Sequence, residues 1–63
     1  MNKFFYCITK KATLFKEPNL KSAHLKEVIF GETFIVSEEY KDFYYGFTQY
    51  DRYLGYVKKS NMK

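Results

Sequence analysis

The sequence predicts an all-β chain folded as one small five-stranded barrel, and three observations carry that prediction. Aromatic and β-branched residues recur with period two in several short segments. Polar or glycine-bearing turns separate those segments at intervals of about 8 to 12 residues. No stretch keeps a 3.6-residue period for more than about two helical turns. With 63 residues the chain has room for one domain spanning 1–63, and a barrel is the practical way to enclose a core at that size.

The first predicted strand runs from Phe4 to Thr9. A long first loop follows from Lys10 to His24; it carries a short strand over Ala12 to Phe15 and turns at Pro18, which lacks a ladder donor. Leu25 to Phe30 reads as a strand or a brief helical turn, ended by Gly31 and Glu32, with Gly31 placed for a backbone shape that other residues resist. In Thr33 to Glu38 the alternation sends Phe34 and Val36 to the core face. Glu39 to Asp42 forms a hairpin loop leading into Phe43 to Gln49, where Phe43, Tyr45 and Phe47 share a face; Tyr45 and Phe47 are expected on the same inner surface as Phe34 and Val36. Tyr50 to Tyr53 is a tight connection, Leu54 to Val57 the final strand, and Lys58 to Met62 has room for one 3₁₀ turn.

So small a chain usually needs a staple or an unusually rich core. The single Cys7 cannot form an internal disulfide, and Cys7 with the lone His24 falls short of the four ligands of a structural zinc site, so no metal or other cofactor is expected. The aromatics must compensate: seven Phe and seven Tyr make up 22% of the chain, a composition that excludes disorder. The net charge of +4 favours anionic partners without choosing among nucleic acid, lipid head groups and wall polymers, and ten of the eleven cations are lysines, which also serve as ordinary solvated residues on exposed strands. The apolar run from Phe4 to Ile8 is too short for a signal-peptide core or a membrane span, so no membrane insertion is expected.

The order of elements, together with Ala12-Thr13-Leu14-Phe15-Lys16-Glu17-Pro18, Val28-Ile29-Phe30-Gly31-Glu32 and Asp51-Arg52-Tyr53-Leu54-Gly55-Tyr56-Val57, resembles a bacterial SH3 (SH3b) domain. More narrowly it resembles the SH3-like modules that precede NlpC-type cell-wall cysteine peptidases, over roughly residues 5 to 62. The resemblance implies an SH3-like barrel, related to or excised from the N-terminal module of a larger protein, that positions a peptidase on peptidoglycan peptide. It implies location at the cell envelope if the chain belongs to a wall peptidase, and the cytoplasm otherwise. Two positions depart from the pattern: Asp42-Phe43 stand where glycine-tryptophan is usual, and Arg52 stands where a glycine is. Catalytic residues of such peptidases belong to the following domain, and none transfers to Cys7 or His24.

Read for chemistry, the chain offers Cys7 and His24 as the only nucleophile and base, the first inside an aromatic strand and the second in a polar loop, so no catalysis is expected. Binding is the stronger reading, because the aromatics exceed what one small interior holds. Alternation turns Tyr44 away from the face of Phe43, Tyr45 and Phe47, and Tyr56 away from that of Gly55 and Val57. A ligand groove is expected between the long loop, the distal connection and the last strand, using Phe15, Tyr40, Tyr44, Tyr53 and Tyr56. The same rings can instead brace neighbouring strands or dock on an adjacent peptidase domain. The expected partner of a monomer is a peptidoglycan peptide or that adjacent domain. Nucleic acid is the alternative, since small barrels with exposed Tyr, Phe and Lys stack bases and neutralise phosphates.

Overall fold

The computed structural model describes residues 3–63. Six strands, β1 (Lys3–Tyr6), β2 (Lys11–Phe15), β3 (His24–Ile29), β4 (Thr33–Tyr40), β5 (Phe43–Thr48) and β6 (Leu54–Lys58), are followed by one 3₁₀ turn over Lys59–Asn61. All strand pairs are antiparallel, in the order β1-β4-β5-β6-β2-β3. The all-β class and the 3₁₀ turn agree with the sequence reading; the count of five and the closed barrel do not. The sixth strand is β2, the short strand placed within the long first loop, which pairs along its length with β3 and joins β6 where Phe15 opposes Tyr56.

The sheet is open because its two edge strands, β1 and β3, are not laddered together. The outer edge of β1 is taken by the end of the chain: Tyr6 and Lys63 exchange two backbone hydrogen bonds of 2.8 Å, the Ile8 N–H donates to the Asn61 carbonyl, and Cys7 bridges Met62. The β3–β4 turn meets the chain just after β1, where Cys7 N–H donates to the Glu32 carbonyl and Gly31 N–H to the Cys7 carbonyl. Gly31 has φ +85°, the left-handed backbone expected of it.

The sheet curls around a core of Cys7, Ala12, Leu14, Val28, Phe34, Val36, Val57 and Met62, with Phe5 and Tyr44 packed against it. Phe34 and Val36 point inward as expected. On β5 the inward positions are Tyr44, Gly46 and Thr48, paired with Val57, Gly55 and Phe34, so the assignment of Tyr45 and Phe47 to the inner surface is reversed. The reason lies at Gly46, which directly opposes Gly55: a Cβ there would come within 1.9 Å of the Ile35 carbonyl oxygen. Only a residue without a side chain fits the inner face at that point, and that constraint sets the phase of the strand against its apolar alternation.

His24 also departs from expectation. It opens β3 opposite Phe15 instead of lying in a polar loop. The loop between β2 and β3 is tied to itself by Lys16 N–H to the Ala23 carbonyl, Glu17 N–H to Ser22 Oγ at 2.8 Å, and Lys21 N–H to Asn19 Oδ1 at 2.9 Å. The β4–β5 hairpin is tighter than the sequence suggested, since β4 continues through Tyr40 and turns at Lys41, which takes φ +51°.

Candidate functional site

Residues directly opposite one another in an antiparallel sheet share a face, so pairing registers can be followed from strand to strand. Glu38 opposes Tyr45, Tyr45 opposes Tyr56, Tyr56 opposes Phe15, and Phe15 opposes His24. The result is one row of side chains crossing five strands on the face turned away from the core. A second row, Tyr40, Phe43 and Lys58, lies beside it, and a third, Ile35, Phe47 and Leu54, lies on its other side.

Both ends of the central row are set by irregularities in the ladder. The β4–β5 register shifts between Val36 and Glu38, leaving Ser37 as an extra residue whose hydroxyl donates to the Tyr45 carbonyl at 3.3 Å. Uninterrupted alternation from Phe34 and Val36 would carry Glu38 and Tyr40 inward; the extra residue sends both outward. A second shift, between Leu14 and Phe15, leaves Leu25 unpaired and brings His24 opposite Phe15.

The rings pack in two sets that the Phe15–Tyr56 register places side by side as one aromatic ladder. Tyr45 and Tyr56 have centroids 4.7 Å apart at 47°, while Phe15 meets His24 edge-on at 5.1 Å and Phe43 edge-on at 5.9 Å. Phe15 and Phe43 are buried and form its floor, Tyr45 and Tyr56 are half-buried, and Tyr40 is 48% exposed at the rim. The Tyr56 hydroxyl is held above the usual phenol range, first by partial desolvation and then by the charges of Tyr45, Glu17, Glu38 and Tyr40. Glu38 faces Tyr45 across the ladder, and Glu17 lies two residues beyond Phe15, the partner of Tyr56. A shallow apolar hollow of about 300 Å³ between Phe47, Leu54 and Arg52 extends the face on the side of the third row.

Of the five residues expected at the groove, Phe15, Tyr40 and Tyr56 share this face. Tyr44 does not: it faces the core side, stacks on Phe5 at 4.5 Å and 28°, and carries the Lys59 ammonium 5.4 Å from its ring centre. Tyr53 lies in the β5–β6 connection beside Lys26, whose ammonium is 5.3 Å from its ring centre. Sequence reasoning missed Tyr45 and Phe43 as outward residues. The signal that could have found them is the parity of the glycines: Gly46 shares a face with Tyr44, Gly55 shares one with Val57, and each marks the crowded inner side.

At the end of the sheet containing Tyr53, Lys26 donates to the Asp51 carboxylate, which also accepts from the Thr48 hydroxyl, and Glu32 lies 4.0 Å from the same ammonium. This cluster lines an open cleft of about 880 Å³ that also includes Ile29, Phe30 and Tyr50. Its cation is already neutralised from within.

The two groups with nucleophile or base chemistry are separated. Cys7 is 1% exposed, with its thiol directed to the carbonyls of Thr9 and Val28, whereas His24 lies four residues from Val28 along β3, roughly 13 Å away at the usual rise per residue. Among the described residues no helix is long and apolar enough to cross a membrane.

No protein-family model, curated protein or solved structure matches this chain. What the domain does is therefore read from its own residues.

Proposed function

We propose that this domain is a non-catalytic binding module that holds an extended peptide across the aromatic ladder, and that its ligand is the stem peptide of a bacterial cell wall. The observation that carries the reading is the row Tyr45, Tyr56 and Phe15 on one face of the strands, two half-buried amphipathic rings beside a buried phenylalanine. Rings with an apolar body and a polar tip bind peptides with little loss of side-chain entropy, and placing them on strands fixes their spacing. The resemblance of the sequence to SH3-like modules of wall peptidases supports the wall peptide as the ligand. Burial of the thiol and its distance from the imidazole support a role without bond chemistry.

Charge weighs against nucleic acid on this face. A phosphate backbone laid along the ladder would meet Glu17 and Glu38, and like charges in a partly desolvated site repel. Backbone amide shifts on titration with the tetrapeptide alanyl-γ-D-glutamyl-lysyl-D-alanine test the proposal. Perturbations centred on Phe15, Tyr45 and Tyr56, lost in Tyr56→Ala, are expected. A flat titration overturns it, as does tight binding of a short single-stranded oligonucleotide to the same rings with steep salt dependence.

A further inference from the structure

Five of the seven tyrosines fall into two electrostatic settings. Over Tyr40, Tyr44 and Tyr53 the ammonium groups of Lys41, Lys59 and Lys26 lie 5.5, 5.4 and 5.3 Å from the ring centres, so each negative π face has a cation from the chain itself. At Tyr45 and Tyr56 no ammonium among the described residues lies over either ring, Lys58 stands in the next row, and carboxylates are placed beside the step. Glu38 stands directly across from Tyr45, and Glu17 lies in the self-tied β2–β3 loop two residues beyond Phe15, the residue opposite Tyr56. Two half-buried rings with carboxylates on both flanks form a negative site on a protein whose net charge is +4.

We propose that the Tyr45–Tyr56 step binds a primary ammonium group on a peptide side chain, held by the π faces of the two rings and by the carboxylates of Glu17 and Glu38. The inference rests on the peptide-binding reading above and adds the chemistry of the residue that the ladder selects. A lysine-type side chain suits the site because its aliphatic stem packs on the apolar ring bodies while the charged end reaches the carboxylates. The favourable terms are a partly desolvated cation–π contact and two charge-assisted hydrogen bonds, which neutral analogues cannot make.

The test compares alanyl-γ-D-glutamyl-lysyl-D-alanine with its Nε-acetyl form, on the wild-type chain and on a Glu17→Gln, Glu38→Gln double variant, by amide shift titration. Acetylation keeps the stem and removes the charge. It is expected to weaken binding about tenfold on the wild type, and the double variant is expected to bind both peptides alike, at the affinity of the acetylated one. Equal affinities on the wild type, with shifts still centred on Tyr45 and Tyr56, overturn the ammonium site and leave the peptide-binding reading standing. A tenfold difference that persists in the double variant overturns the role of the two carboxylates. Absence of shifts at the ladder with either peptide overturns both readings.

Discussion

Gly46 and Gly55 stand directly opposite one another across β5 and β6, with their bare inner faces against the neighbouring strands. A Cβ on Gly46 would fall 1.9 Å from the Ile35 carbonyl oxygen, and one on Gly55 would fall 2.7 Å from both Leu14 Cγ and the Phe15 carbonyl oxygen. The pair lets the sheet curl tightly around Leu14, Phe34 and Val36, and it sets which rings of β5 and β6 are left for the outer face.

Gly46→Ala is therefore expected to be severe. The obstructing atom is backbone, so relief requires moving β4 as a whole, and a loss of about 3 kcal/mol or more is expected in chemical denaturation. Gly55→Ala meets a leucine side chain as well as backbone and should cost less. Equal, small effects at both sites would contradict the close approach.

Arg52 has φ +59°, a left-handed backbone in which its Cβ is strained. The Arg52 N–H still donates to the Thr48 carbonyl at 2.8 Å. Arg52→Gly removes the Cβ strain and keeps that bond, and a gain of about 0.5 to 1 kcal/mol in unfolding free energy is expected after the entropy of the glycine is deducted. A loss of stability on this change would show that the arginine side chain contributes more than its backbone costs.

The acid limb of stability should depend on Asp51. Its carboxyl is held below the usual range, chiefly by the hydrogen bond from Lys26 and then by that from Thr48. A depressed carboxyl stabilises the fold fully above its unfolded pKa, near about pH 4, and loses that contribution as pH falls through the lower folded value. Lys26 is shifted upward by the same hydrogen bond, so its contribution is lost only as pH rises through a folded value above the ordinary lysine range. Urea midpoints for Asp51→Asn should fall below wild type at neutral pH and converge with it in strong acid; parallel curves at all pH values would contradict the pairing.

Tyr44 and Tyr56 should separate stability from binding. Tyr44 packs against the core and on Phe5, and Tyr44→Ala is expected to cost about 2 to 3 kcal/mol while leaving affinity for the tetrapeptide unchanged in the folded fraction. Tyr56→Ala is expected to abolish binding at a smaller cost in stability. Reversal of the two effects would put the ligand face on the wrong side of the sheet.

Much of the fold was legible because local chemistry dictated it. Phe34 and Val36 alternate with Thr33, Ile35 and Ser37 and do face the core, Gly31 does turn with positive φ, and the 3₁₀ turn falls where the last strand ends. The ladder was legible only in part. Phe15, Tyr40 and Tyr56 were singled out as groove residues and do share a face, with Phe15 buried beneath it, but Tyr44 and Tyr45 were exchanged, because on β5 the more apolar alternation of Phe43, Tyr45 and Phe47 marks the outer side.

By itself the sequence determined an all-β chain with little helical propensity, a turn at Gly31 and a hairpin turn within Glu39 to Asp42, while the expected aromatic interior is in fact a core of mainly aliphatic side chains around Phe34. Tertiary structure decided the sixth strand, the open edge between β1 and β3, and the row that runs from Glu38 to His24. The physical reason is that alternation within a strand is a local property, whereas phase and register between strands depend on where two backbones must nearly touch and where an extra residue is inserted. Here Gly46, by its close approach to the Ile35 backbone, and Ser37 and Leu25, as extra residues in the ladder, make those choices.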